Sequence, residues 1–209
     1  ASDVYKRQVK DNLKEIAAGE EEACEKLMYA LVLSGLAMQM TGNSRPASGA
    51  EHHLVHLWDM EVVNGHLDAL HGEKVSAGTM LVLLEYKKIA DAIRKGNCKV
   101  HTCTEEDREL LQSTFGKKGI LGAIEKENTP ELLDDVSTKE LSDTLPGILK
   151  IIDALPAVTD MQEMMNTAGC VSRVRDIGLP GEVIEESLRL APYTRRRLSL
   201  LRLRKMLTY

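Results

Sequence analysis

Two short segments, SRPASGAEHHLVH at positions 44–56 and LHGEK at positions 70–74, carry most of the information in this chain. Five of its six histidines fall between positions 44 and 74. His52 and His56 lie four positions apart, so they share one face of a helix. His71 follows a polar break and can fold back toward that face. Because neutral imidazole is a common ligand of zinc, nickel and iron, the two segments predict a metal held by His52 and His71, with His56 beside it as a proton carrier.

An ordinary explanation of the same histidines stays open. Histidines four positions apart occur by chance, and histidines at helix ends often serve only as capping or hydrogen-bonded groups. A catalytic zinc ion also has three protein ligands as a rule, and these segments supply two. The sequence therefore predicts half of a metal site, whose remaining ligand must come from elsewhere.

The loop at positions 42–49, GNSRPASG, is a candidate anion site. Small residues before a helix expose backbone N–H groups, and the helix dipole favours an anion there. Ser44, Arg45 and Ser48 are the candidate substrate-binding residues, with Arg45 able to add a charge-assisted bond to a phosphate. The alternative is a plain connection in which Ser48 caps the next helix and Glu51 completes a capping box. The order of residues matches neither a Walker loop nor a dinucleotide-binding glycine motif.

Composition excludes several classes of protein. The chain has 209 residues, which fits one domain or one domain and part of a second, and 43% of them are hydrophobic. A net charge of −5 argues against nucleic acid as the main partner, although it leaves room for a local basic pocket. The four cysteines form no Cys-x-x-Cys pair and are expected to be free thiols in a reducing compartment. The longest apolar run, at 75–84, is too short for a membrane span, and a cytoplasmic location is expected.

Hydrophobic periodicity and helix caps predict an all-α fold of roughly eight or nine helices without convincing strands. A broad apolar stripe at 23–40 predicts a central helix, and further helices are expected at about 49–63 and 71–95. Positions 194–207 predict a basic amphipathic helix whose arginines face solvent while Leu198 and Leu201 pack inward; an anion or partner surface is the alternative. Positions 1–8 are interpreted as a non-native or frayed segment, which leaves 9–209 as the helical domain.

The segments SRPASGAEH and LHGEKV resemble the C-terminal domain of the sn-glycerol-1-phosphate dehydrogenase family. That family is related to glycerol dehydrogenase, the iron-dependent alcohol dehydrogenases and dehydroquinate synthase. The His-Gly-Glu-x-Val element is common to the whole superfamily, whereas the Ser-Arg-Pro-Ala-Ser-Gly-x-Glu-His string is much narrower. The end of the chain, from Ala191 to Leu201, is also similar to the bacterial members, and the resemblance covers about positions 20–208.

The resemblance implies the helical C-terminal half of a two-domain enzyme, without the N-terminal Rossmann-like domain that binds NAD or NADP. It implies a divalent metal, zinc or else nickel or iron, held by one Asp and two His that match His52 and His71. The family's Asp lies in a Gly-Asp motif upstream, and this sequence contains no Gly-Asp pair. The chain is therefore expected to be truncated within the helical domain, and inactive by itself.

The implied reaction is the NAD(P)H-dependent reduction of dihydroxyacetone phosphate to sn-glycerol 1-phosphate, in glycerophospholipid synthesis. The metal would polarise the carbonyl, His56 would relay the proton, and Ser44, Arg45 and Ser48 would hold the phosphate. A homo-oligomer is expected at full length. Two alternatives stay open: another metal-dependent polyol dehydrogenase or dehydroquinate-synthase-like enzyme, and a helical interaction module without catalysis.

Overall fold

The computed structural model describes residues 9–103 and 107–209. Helices account for most of this part of the chain, and the predicted all-α class is confirmed. The interpretation of positions 1–8 lies outside the described residues. The principal elements are α1 (Leu13–Ala17), α2 (Glu21–Thr41), α3 (Ala50–Asp59), α4 (His71–Arg94), β1 (Lys99–Val100), α5 (Arg108–Phe115), α6 (Leu121–Glu127), α7 (Thr138–Asp153), α8 (Val158–Thr167), α9 (Ile184–Leu190), α10 (Leu200–Leu203) and β2 (Leu207–Thr208).

Helix α4 runs through the centre of the molecule. Its first half packs on α3 in one apolar cluster, and its second half joins a smaller cluster with α7 and the end of the chain. The first cluster includes Leu54, Leu57 and Trp58, all 1% exposed or less. A Cβ at Gly78 of α4 would lie 3.2 Å from the backbone oxygen of Glu51 in α3. The two helices therefore cross closely where α3 begins, which brings their N-terminal residues together.

The prediction that the apolar helix near the N-terminus is central is wrong for the described residues. Of the residues in α2 only Ala23 is buried. Large apolar side chains on one broad side of the helix are exposed, namely Met28, Tyr29, Leu31, Val32, Leu36 and Met40. Because an apolar helix face normally packs against another element, the pattern indicates a surface suited to burial, but no described element covers these six side chains.

The end of the chain is not the single helix that the sequence predicts. After an extended stretch, α10 covers only Leu200–Leu203, and β2 then pairs antiparallel with β1. Arg202 is 1% exposed and donates to the oxygens of Asn128 and Pro192, while Leu198 is 55% exposed. The predicted solvation of Arg202 and inward packing of Leu198 are thus both wrong; the inward packing of Leu201 is confirmed, since it is 1% exposed.

The last residues of the chain contact α4 through the buried carboxylate of Glu85. Glu85, which is 2% exposed, accepts a 2.6 Å hydrogen bond from Arg204 Nε and another from the Tyr209 hydroxyl. Burial raises the pKa of Glu85, but the Tyr209 hydrogen bond and the Arg204 charge more than offset this, so the pKa lies below its usual 4.5.

Across the described residues, no helix has both the length and the apolar character to cross a membrane.

Candidate metal and substrate site

His52 and His71 come together because each lies at the start of one of the two crossing helices. His71 is the first residue of α4, and the Glu73 carboxylate accepts the Leu70 backbone N–H at 2.8 Å, which fixes that helix start. His52 lies in the first turn of α3. The centroids of the two imidazole rings are 5.7 Å apart and the ring planes are tilted by 51°.

This separation fits a shared metal ion. Two imidazole nitrogens each ~2.0–2.1 Å from one ion would place their ring centroids about 5–6 Å apart. Among the residues that the structure describes, no group of three or more His, Cys, Asp or Glu side chains is arranged to hold a metal. A metal site built on His52 and His71 would therefore need a further ligand from outside the described residues.

Glu51 fixes the orientation of the His52 ring. Its Oε1 atom lies 2.8 Å from His52 Nδ1 and also accepts the Gly49 backbone N–H at 2.7 Å. An Nδ1–H donated to this carboxylate leaves the lone pair on Nε2, the usual arrangement for a metal-binding histidine. A Cβ at Gly49 would lie 2.6 Å from Glu51 Oε2, so glycine at this position makes room for the carboxylate.

His56 follows His52 by one turn of α3 and is half-buried. Burial lowers its pKa, and the neighbouring charges of Arg195, His52 and His71 lower it further, against the opposing charge of Asp59. Its imidazole is therefore neutral at pH 7 and can accept or pass on a proton. The three histidines singled out from the sequence thus lie around one helix crossing.

The loop before α3 is held by the end of the chain. Arg197 donates to the backbone oxygen of Ser48 at 3.0 Å and to the hydroxyl of Ser44 at 2.8 Å. Helix α3 begins at Ala50 with Gly49 as its N-cap and ends at Asp59, so the expected Ser48 cap and the extension to position 63 are both wrong. Glu51 reaches back to Gly49 instead.

Arg45 and Ser48 line a cavity of about 300 Å³ beside this loop, whereas Ser44 is not among its lining residues. His53, which the sequence did not single out for a site, also lines it, as does Arg197, one of the arginines for which an anion surface was the alternative prediction. His53 is 1% exposed, and burial, aided by the charges of Arg197 and Arg202, lowers its pKa to about 4. Neither ring nitrogen of His53 has a hydrogen-bond partner.

Comparison with curated proteins gives one consistent group of relatives. Over 192 residues, 91% of its length, the chain is 33% identical to the glycerol-1-phosphate dehydrogenase [NAD(P)+] of Halalkalibacterium halodurans. It is 29% identical over 182 residues to the enzyme of that name from Geobacillus stearothermophilus, and 41% identical over 83 residues to that from Pyrococcus horikoshii. The chain is homologous to part of glycerol-1-phosphate dehydrogenase. No protein-family model matches the chain.

The chain spans about two fifths of the length of the glycerol-1-phosphate dehydrogenases from Halalkalibacterium and Geobacillus, with 40% and 38% covered. The resemblance noted from the SRPASGAEH and LHGEKV segments is thereby confirmed. By their name these relatives are NAD(P)-linked oxidoreductases, so the chain is related to part of an enzyme.

Proposed function

We propose that this chain is the metal- and substrate-binding part of an NAD(P)H-dependent dehydrogenase that reduces dihydroxyacetone phosphate to sn-glycerol 1-phosphate, for glycerophospholipid synthesis. The observation that carries the proposal is the His52–His71 pair, with ring centroids 5.7 Å apart, in a chain homologous to part of glycerol-1-phosphate dehydrogenase. The cofactor would be bound mainly by an N-terminal Rossmann-like domain outside this chain. A cytoplasmic homo-oligomer is the expected form of the full-length protein.

His52 and His71 would hold a divalent cation, zinc or else nickel or iron, together with a carboxylate from outside this chain. Such a cation polarises a carbonyl oxygen and stabilises the negative charge that develops there during reduction. Glu51 would keep Nε2 of His52 available by accepting the proton on Nδ1.

His56 would carry the proton that the reaction exchanges with solvent. When the alcohol is oxidised, its neutral imidazole accepts the hydroxyl proton, and in the reverse direction the imidazolium returns it. The lowered pKa favours the neutral form that starts the oxidation. In the loop, Ser44, Arg45 and Ser48 would bind the phosphate end of the substrate or support the residues that do, with Arg45 as the direct charge partner.

A chimera provides the test. The matching segment of the Halalkalibacterium enzyme is replaced by this chain, and the metal-loaded chimera is assayed for dihydroxyacetone phosphate reduction by following NADH absorbance. We expect turnover, and we expect His52→Ala and His71→Ala to abolish it because the metal contacts strengthen as charge develops on the oxygen. His66→Ala is the matched control, since His66 is exposed and, among the described residues, pairs only with Glu61. A folded chimera that binds NADH but does not turn over would refute the proposal.

Arg45 separates phosphate binding from catalysis in the same chimera. A phosphate contact is equally strong in the ground and transition states, so Arg45→Ala is expected to raise KM with little change in kcat. One charge-assisted bond corresponds to about a ten- to hundredfold change in KM. The KM for dihydroxyacetone, which lacks the phosphate, should be the same in Arg45→Ala as in the unmodified chimera. An equal loss with both substrates would contradict the assignment of Arg45.

A further inference from the structure

The cavity beside the loop is formed by two parts of the chain that are far apart in sequence. One wall comes from Arg45, Ser48 and Gly49 at the start of α3, and the other from Arg197 and Ser199. Its volume of about 300 Å³ is small, at the lower end of the range for sites that bind small molecules. The cavity is therefore large enough for a phosphate group and a few further atoms.

His53 gives the cavity an unsatisfied polar group. The residue is 1% exposed, lines the cavity, and has no hydrogen-bond partner for Nδ1 or Nε2. A buried polar group without a partner destabilises a folded protein. Whichever tautomer is present, one imidazole nitrogen carries an N–H donor. An acceptor entering the cavity, or a water molecule bound to it, would satisfy that donor.

The charges around the cavity favour an anion. Arg197 uses two of its guanidinium N–H groups for Ser48 and Ser44, and a guanidinium has five. The exposed side chain of Arg45 makes no hydrogen bond with any described residue. The positive end of the α3 dipole points to the same place, because α3 begins at Ala50 in the cavity wall. The carboxylate of Glu51, the residue after Ala50 of the cavity wall, already accepts hydrogen bonds from Gly49 and His52.

We propose that this cavity binds a phosphate monoester dianion, with Arg197, Arg45 and His53 as its donors and the N-terminus of α3 beneath it. The inference rests on the proposed function for the identity of the ester, which would be the substrate, so that the bound dianion is the phosphate group of the substrate itself. It reassigns the phosphate contacts: Arg197 from the end of the chain and the buried His53 bind the anion, and Ser44 acts only by positioning Arg197.

The test uses this chain alone with inorganic phosphate as the probe. Titration is followed by amide and imidazole ¹⁵N shifts, at constant ionic strength maintained with chloride. We expect saturable shifts at Ala50 and His53, and binding at least tenfold weaker for Arg45→Ala and His53→Phe. Arg197→Gln should weaken binding by at least as much. Arg175→Ala, an exposed arginine away from the cavity, should bind phosphate as the unmodified chain does.

His53→Phe and Arg45→Ala keep the test decisive if Arg197→Gln releases the loop, because neither residue holds the loop through a side-chain hydrogen bond. Unchanged phosphate affinity in both variants, or shifts confined to other surfaces, would overturn the inference. Failure of the proposed function looks different, since phosphate would then bind normally while the chimera lacks turnover. An active chimera whose KM is unaffected by Arg197→Gln and His53→Phe would overturn this inference alone.

Discussion

The guanidinium of Arg197 donates a 2.8 Å hydrogen bond to the hydroxyl of Ser44, 153 residues earlier in the chain. It donates a second hydrogen bond to the Ser48 backbone oxygen, so one side chain holds two points of the loop, at Ser44 and at Ser48. Both bonds are part-buried and charge-assisted, which makes them stronger than neutral hydrogen bonds. Arg197 thus fixes the loop from which α3, and with it His52 of the histidine pair, begins.

Arg197→Ala should therefore lower the free energy of unfolding by about 1.5–3 kcal/mol, the usual contribution of hydrogen bonds to a charged group. Urea denaturation followed by circular dichroism measures the change. Arg175→Ala is the matched control and should change stability by less than about 0.5 kcal/mol, since Arg175 is exposed. Equal stability of the two variants would mean that the loop does not depend on Arg197.

Gly49→Ala should change the tautomer of His52 without unfolding the protein. The new Cβ would meet Glu51 Oε2 at 2.6 Å, and this flexible carboxylate can move away, but the movement breaks its bond to His52. Long-range ¹H–¹⁵N spectra above pH 7.5 should show an Nδ1-protonated ring in the unmodified chain and a mixture of tautomers in the variant. Gly65→Ala is the control, because nothing lies within 4 Å of its added Cβ. An identical His52 spectrum in Gly49→Ala would contradict the role given to Glu51.

Ser187→Ala should destabilise the main apolar cluster. The Ser187 hydroxyl accepts a 3.0 Å hydrogen bond from Trp58 Nε1, and both residues are 1% exposed or less. Removing the acceptor leaves a buried indole N–H unsatisfied, which costs about 1–3 kcal/mol. Because Trp58 is the only tryptophan, its fluorescence reports unfolding in urea directly. The exposed Ser113→Ala serves for comparison, and a loss no larger than that of Ser113→Ala would count against this account.

Glu85 should make stability depend on pH in the acid range. Its folded-state pKa is lower than its unfolded value of 4.5, so the stabilisation is fully present above pH 4.5 and is lost as the pH falls through the folded pKa. Glu85→Gln should be less stable at pH 7 and should lose less further stability between pH 4.5 and pH 3 than the unmodified chain. The exposed Glu182→Gln should preserve the original pH profile. Parallel profiles for Glu85→Gln and the unmodified chain would exclude Glu85 as the source.

Local sequence signals were sufficient for the histidine pair. The polar break before His71 and the acidic Glu73 in the first turn correctly indicated where α4 begins. Four-residue spacing then placed His52 and His56 on one helix. These signals act over a few residues, and the only long-range step was the crossing of two neighbouring helices, which a short connection favours.

Local signals could not predict the hydrogen-bond partners of Arg197 or the exposure of α2. Arginines and leucines near the end of the chain fit a helical period, but the partners of Arg197 lie 149 and 153 residues away, where periodicity carries no information. For α2, apolar composition correctly predicted a helix. Composition could not predict whether another element of the same chain covers this helix. It shows that a surface is apolar, but it does not show which element packs against that surface.

The closing segment also bears on the genetics of this protein. A stop codon at any position from Arg195 to Arg197 would remove three things together: the guanidinium that holds the loop, the buried Arg202, and Met206 from the second cluster. Segments at the edge of a domain commonly tolerate truncation when few contacts hold them. This segment supports the loop and both clusters, so truncations that remove it should behave in a mutational screen like truncations that remove a core helix.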